Sequence, residues 1–156
     1  MGFGYDVHRL TPGRLLVLGG VRIPYDKGLL GHSDGDVLIH AVMDALLGAA
    51  GAGDIGVHFP DSDPQYLGAD SLRLLERVAA ILSEKRLTVG NVDAVIVAEA
   101  PKLRPYVAEM ENNLARVLGV NPEIINLKAT STEGLGFTGA GEGMAAYAIT
   151  MLLPVL

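Results

Sequence analysis

Apolar residues in this chain recur first at every second position and then at helical spacing, a change of period that limits the fold to helices laid against a sheet. The stretches "GFGYDVHRL" and "RLLVLGGVRIPY" read as strands. Gly19-Gly20 supplies a two-residue hairpin turn between the halves of the second stretch, and Pro24 marks a strand end. "DVLIHAVMDALLGAAG" has helical spacing and stops at glycine, predicting a first helix near residues 36 to 49. A second helix is expected near 69 to 85, with Leu72, Leu75, Val78, Ala79 and Leu82 on one stripe. "NVDAVIVAEA" reads as a buried or interface-facing strand, and Pro105 suits the first turn of a third helix running to about Leu118. "EIINLKATST" is expected to be the last long strand and "GEGMAAYAITMLL" the last helix. The predicted order ββ-αα-β-α-β-α describes an α/β class fold, an α+β sandwich with a mixed sheet. Its helices lie mainly on one face, and the other face is left to neighbours.

With 156 residues, a single domain over 1–156 is expected, with one core. A hydrophobic content of 49% against 19% charged residues is high for so small a chain, so part of the apolar surface is expected to be buried against other copies. The net charge of −6, the absence of basic runs and of Trp, and only three Phe leave no footprint for nucleic acid. The absence of cysteine excludes disulfides and thiolate metal sites. "MGFGYD" lacks a signal-peptide pattern and the Ser or Thr of a myristoylation motif, and "MAAYAITMLLPVL", at 13 residues, is too short to span a bilayer. The expected location is cytoplasmic, with no membrane partner.

Asp6 and His8, two apart on a strand, share a face. His40 in the first helix is the natural third ligand, and two histidines with a carboxylate form a familiar catalytic zinc set with a position left open. The alternative is a local polar pair at Asp6 and His8 with His40 satisfied in the core. Asp36, His40 and Asp44 fall on one helix ridge, so a carboxylate could orient the imidazole. Capping the helix is the alternative role for Asp36 and Asp34, and for Asp34 it is at least as good a reading. His32 and Ser33 precede the helix N-terminus, where an anion is favoured.

"KATSTEGLGFTGAGEGMAAYA" is the second cluster, with Lys128, hydroxyls at Thr130, Ser131 and Thr132, Glu133, and then closely spaced glycines. Gly134, Gly136 and Gly139 imitate a dinucleotide fingerprint, but the chain ends 17 residues after Gly139, too soon for the acidic strand end such a fold requires. Hydroxyls, backbone amides and a carboxylate at this turn make a cradle for a phosphate and a divalent cation, while tight turns and close packing account for some of the glycines. "APKLRP" by itself is a solvated turn.

Taken together, "DVH", "GLLGHSDGDVLIHAVMDALLGA", "GDIGVHFPDSD", "GNVDAVIVAEAPKL" and "KATSTEGLGFTGAGEG" resemble the 2-C-methyl-D-erythritol 2,4-cyclodiphosphate synthase family of the non-mevalonate isoprenoid pathway. The resemblance runs over nearly the whole chain. It implies a homotrimer whose sheets face the threefold axis and whose active sites lie between subunits. It also implies a CMP-releasing phosphorus-oxygen lyase acting on 4-diphosphocytidyl-2-C-methyl-D-erythritol 2-phosphate.

Carried over residue by residue, the resemblance implies zinc at Asp6, His8 and His40, one per site, and a second cation, Mg2+ or Mn2+, at Glu133 with substrate phosphates. His32 and Ser131 are the implied catalytic groups. The sugar and phosphates are assigned to Asp6, Val7, His8, His32, Ser33, Asp54, Ile55, Gly56, Phe59, Pro60, Asp61, Ser62, Asp63 and Phe137. The nucleotide is assigned to Ala98, Glu99, Ala100, Pro101, Lys102, Leu103 and Arg104 of a neighbouring subunit, with Thr130, Ser131 and Thr132. Ala140 stands where many members have an arginine lining an axial cavity, so isoprenoid-diphosphate binding there does not carry over; Ser131 replaces a common threonine but keeps the hydroxyl. From the residues alone, a metal-dependent phosphohydrolase and a non-catalytic trimeric nucleotide-binding module are the rivals.

Overall fold

A computed structural model describes residues 1–156. Strand β1 (Gly2–Pro12) is followed by the short strands β2 (Leu16–Leu18), β3 (Val21–Ile23) and β4 (Lys27–Leu29). Helices α1 (Val37–Ala49), α2 (Ile55–His58) and α3 (Ser71–Glu84) come next, then β5 (Leu87–Val97), α4 (Val107–Leu118), β6 (Ile125–Thr130), α5 (Gly136–Gly139) and β7 (Gly143–Pro154). The main sheet has the order β4-β1-β7-β5-β6, antiparallel throughout except for the parallel β5/β6 pair. β2 and β3 form a separate hairpin, and the positive φ of both Gly19 (57°) and Gly20 (74°) at its turn is the geometry that the Gly-Gly pair serves.

One expected element is wrong. "GEGMAAYAITMLL" is not a helix but β7, the central strand, paired with β1 on one side and β5 on the other. Met144, Ala146, Ala148 and Thr150 point into the core, while Tyr147, Ile149 and Met151 point out. Both rows are largely apolar, so the period of two is hidden, and the alanines and methionines add a helical bias that pairing on two sides overrides.

Helices α1, α3 and α4 cover one sheet face. α1 is enclosed nearly all round, with ten buried residues from Val37 to Leu47, which is why its sequence is apolar on every side. A bulge between Val89 and Asn91 in β5 lets Val89 and Val92 both face the core although they are three apart. The opposite face of the sheet is bare and apolar, with Phe3 62% and Ile149 52% exposed, and the Tyr5 and Tyr147 ring centres 4.9 Å apart. This is the surplus apolar surface that the composition requires.

β1 lies unusually close to α1. A Cβ on Gly2 would stand 1.9 Å from the Ala45 carbonyl oxygen, and one on Gly4 would stand 1.9 Å from that of Ala41. No side chain other than hydrogen fits at either place. Gly4→Ala should therefore lower stability by about 3 kcal/mol in urea unfolding. Gly48→Ala, at a helical glycine facing open space, should raise stability by about 0.5–1 kcal/mol. Equal effects of the two substitutions would refute this packing.

Candidate metal centre

The close seating of β1 on α1 brings three ligand atoms together. Asp6 Oδ2 is 2.8 Å from His8 Nε2 and 3.0 Å from His40 Nδ1, and the two imidazole nitrogens are 3.0 Å apart. Tetrahedral ligands ~2.0–2.1 Å from a metal such as zinc stand roughly 3.3 Å apart, so a small spreading of this triangle admits an ion. The far side of each ring is already spoken for. His8 Nδ1 donates to the Leu30 carbonyl at 2.8 Å, and His40 Nε2 lies 3.0 Å from Ser33 Oγ and 3.1 Å from Ser71 Oγ. With those nitrogens carrying the protons, lone pairs of both rings face the carboxylate, and the donor set fits a divalent transition metal.

The electrostatics agree with that fit. Without a metal, burial raises the Asp6 carboxyl, but hydrogen bonds and charge from the His40 and His8 rings in their protonated form outweigh it and hold the group at about 2. Burial lowers His8, yet the Asp6 hydrogen bond and charge prevail and its pKa is raised.

The backbone that presents these groups is tied down from several sides. Arg14 donates to the carbonyls of Leu29, Gly31 and Ser33, which fixes the loop whose Leu30 carbonyl holds His8. Asp34 and Asp36 divide two tasks. Asp36 caps α1 through the Ile39 amide and also accepts the Gly19 and Gly20 amides of the hairpin turn. Burial, aided by the nearby Asp34 charge, pushes Asp36 up to about 7 against the pull of these three donors. Asp34 is not the α1 cap; its carboxylate takes the amide and hydroxyl of Ser71 at the start of α3. The expected ridge is also corrected, because neither Asp36 nor Asp44 touches the His40 ring. Asp44 instead accepts the Ile55 amide at 2.8 Å and holds the start of α2.

The triad opens into a cavity of about 500 Å³ lined also by Gly31, His32, Ser33, Ile55, Gly56, Phe59, Pro60 and Asp61. Of the remaining residues assigned to the sugar and phosphates, Asp54 caps α2 through the Val57 amide, and Asp63 caps the Pro64–Tyr66 turn while its carbonyl meets His32 Nε2 at 3.1 Å. Ser62 does not line the cavity, and Val7 and Phe137 lie elsewhere, in a shallow hollow with Arg9, Glu142 and Gly143 that reaches the triad only at His8.

The nucleotide set gathers separately. Ala98, Glu99, Pro101, Lys102, Leu103 and Arg104 surround a cavity of about 230 Å³ with Ala129, Thr130 and Ser131. Ala100 does not line it, and the Thr132 hydroxyl is turned inward to Leu135 and Thr138. Glu133 is exposed beside Ser131, its amide on the Ser131 hydroxyl at 3.2 Å and its φ at +52°. Within one chain these residues do not meet the triad. β1 and β6 are three strand spacings apart in the sheet, roughly 14 Å at about 4.8 Å per step. Ser71 is the residue that sequence reasoning missed at the metal side. Its only signal is a hydroxyl at the start of an otherwise apolar helix face.

Zinc affinity of this centre should fall as pH is lowered, and the fall should begin above 6.5, because the raised His8 takes up a proton there and cannot then ligate. Asp6, charged down to about 2, contributes nothing over that range. Competition with a chromophoric chelator measures this, and an affinity flat from pH 8 to 5.5 would exclude His8 as a ligand.

The YgbB family model matches residues 1–153. The chain is 62% identical over 152 residues to the 2-C-methyl-D-erythritol 2,4-cyclodiphosphate synthase of Pelotomaculum thermopropionicum, covering 97% of this chain and 94% of that one. It is 66% identical over 97% of its length to the bifunctional enzyme IspD/IspF of Desulforudis audaxviator, of which it spans 39%. Among solved structures, it is similar to a 2C-methyl-D-erythritol-2,4-cyclodiphosphate synthase in a CDP-bound form, with a TM-score of 0.89, 37% identity, and coverage of 97% of this chain and 99% of that one. The CDP complex of Plasmodium falciparum IspF matches with a TM-score of 0.87 and 32% identity, over 99% of this chain and 96% of that one.

Proposed function

The chain belongs to the YgbB family, and from that premise we propose that it is a 2-C-methyl-D-erythritol 2,4-cyclodiphosphate synthase of isoprenoid precursor biosynthesis. It converts 4-diphosphocytidyl-2-C-methyl-D-erythritol 2-phosphate to the 2,4-cyclodiphosphate and CMP, a phosphorus-oxygen lyase reaction in the cytoplasm. The observation that carries the reading is the Asp6, His8 and His40 triangle at the mouth of a polar cavity, in a chain 62% identical to a relative bearing that name.

In this reaction an oxygen of the 2-phosphate attacks the β-phosphorus. A new P–O bond closes the ring, the bond from the β-phosphorus to the bridging oxygen breaks, and its electron pair leaves with CMP. No protein nucleophile is needed, so folding the flexible substrate onto itself is the main task, one in which positioning is worth many orders of magnitude. Asp6, His8 and His40 would hold zinc, which when bound would supply positive charge to offset that of the phosphates. His32 and Ser33 line the cavity beside the triad and orient the phosphates. Ser131 holds the reacting diphosphate, and Glu133 would hold the second cation, Mg2+ or Mn2+, which would offset phosphate charge. The sugar rests against Ile55, Gly56 and Phe59, and the cytidine enters the cavity between Ala98–Arg104 and Thr130–Ser131.

The active unit in this reading is a homotrimer. The two halves of the site lie on separate edges of one chain, while the bare sheet face with Phe3, Tyr5, Tyr147 and Ile149 needs cover. Packing that face around a threefold axis brings the metal half of one subunit beside the nucleotide half of the next, and both needs are met by one assembly.

The test is ³¹P NMR of the protein with the cytidylated substrate and magnesium, before and after zinc chelation. Two coupled cyclic-diphosphate signals and CMP are expected, and both should disappear on chelation. Linear phosphate products would mean a hydrolase. His40→Ala should lower turnover by about 10³-fold or more while keeping the fold. Ile149→Asp should give monomers in sedimentation that still bind zinc but do not turn over; an active monomer would remove the intersubunit site.

A further inference from the structure

We propose that Ser71, held by Asp34, is the positioning residue that makes His40 ligate through Nδ1. The inference rests on the metal reading of the triad and concerns groups outside it. A hydroxyl has one proton to give, and an ionised carboxylate can only accept. Ser71 Oγ donates its proton to Asp34 Oδ1, and the Ser71 amide donates to Asp34 Oδ2 at 2.9 Å, so one carboxylate grips the residue at two points. The Ser71 oxygen therefore meets His40 Nε2, 3.1 Å away, as an acceptor. The imidazole proton must sit on Nε2, and the Nδ1 lone pair is left for Asp6 and His8 to share with an ion.

Two observations separate this role from mere helix capping. The N-terminus of α3 already has a cap, since Asp70 accepts the Leu72 amide at 2.9 Å. Ser71 is also fully buried, in a helix whose other buried residues are Leu74, Leu75, Val78 and Leu82. A hydroxyl kept dry at such a place costs stability unless it is satisfied, and its partners are Asp34 and His40. Ser33 Oγ lies equally near Nε2, at 3.0 Å, but Ser33 lines the cavity, where a ligand can compete for its hydroxyl. Ser71 does not line it, so its hold on His40 persists whatever the cavity contains. The relay from Asp34 through Ser71 to His40 gives the α1 histidine a fixed ring orientation, as the Leu30 carbonyl does for His8.

The experiment measures zinc binding to the intact oligomer by competition with a chromophoric chelator, for the natural protein and for Ser71→Ala. Loss of a group that orients a metal-bound histidine typically weakens affinity by roughly 10–100-fold, and that loss is expected here with little change in the thermal midpoint of the metal-free protein. Affinity within twofold of the natural protein would overturn the relay. A second measurement does not depend on the variant folding. In ¹⁵N-labelled natural protein loaded with ¹¹³Cd, coupling from the metal should appear at His40 Nδ1 and at His8 Nε2. Coupling to His40 Nε2 would overturn the proposal outright. Failure of the natural protein to bind one zinc per chain would instead defeat the metal reading on which the relay rests, which keeps the two failures distinct.

Discussion

The close approach of β1 to α1 is the contact on which the site depends. Gly2 and Gly4 on the strand meet the Ala41 and Ala45 carbonyls of the helix, and the next two inward residues of β1 are Asp6 and His8. A strand packed on a helix at the usual separation would leave an imidazole on α1 too far from a short carboxylate to share an ion. Removing two Cβ atoms shortens that gap along one edge of the contact. The same inward row of β1 therefore changes from packing to chemistry within two residues, and Leu10 then returns to packing. The glycines lose more conformational entropy on folding than other residues would, and that loss is the cost of bringing Asp6, His8 and His40 together.

Polar groups so near the core must all be satisfied, and the loop between β4 and α1 does this work with very few residues. Arg14 pairs with no carboxylate and spends its donors on three carbonyls of that loop. Asp36 closes the hairpin turn and the helix end at once, and Asp34 reaches across to α3. Each of these groups neutralises unpaired backbone dipoles that the sharp turn would otherwise bury. In consequence the loop bearing His32 and Ser33 is held from β1, the hairpin, α1 and α3 together.

Much of this was legible in the sequence. The period-two placing of Asp6 and His8 and the helical setting of His40 were enough to nominate the three ligands, because strand and helix geometry fix which face each residue takes. β7 was not legible. A strand that is buried on one side and apolar on the other loses the alternation that distinguishes it from a helix, and only its partners β1 and β5 decide the matter. The partners of His40 are not legible for a related reason. Helix spacing puts Asp36 and Asp44 on its ridge, but those carboxylates find backbone amides nearer, at Ile39 and Ile55, while of the two hydroxyls at the ring one comes from Ser33 in the preceding loop and the other from Ser71, 31 residues away in α3. Contacts between distant segments carry no periodic signature.

The error over β7 also explains the surface. Had the last segment been a helix, it would have covered the sheet or lain on its edge, and the apolar composition would have had an internal destination. As the central strand, β7 instead exposes Tyr147, Ile149 and Met151 beside Phe3 and Tyr5 of β1, which makes one continuous apolar face. A face of this kind at the middle of a sheet has no edge amides to offer, so it favours contact through side chains over strand addition. Symmetric packing of copies through such a face leaves the two ends of each sheet exposed. Those ends carry the triad on one edge and the Ser131 turn on the other, so in the proposed trimer the strand that hides its period in the sequence is also the one whose outer face would bring the two clusters together.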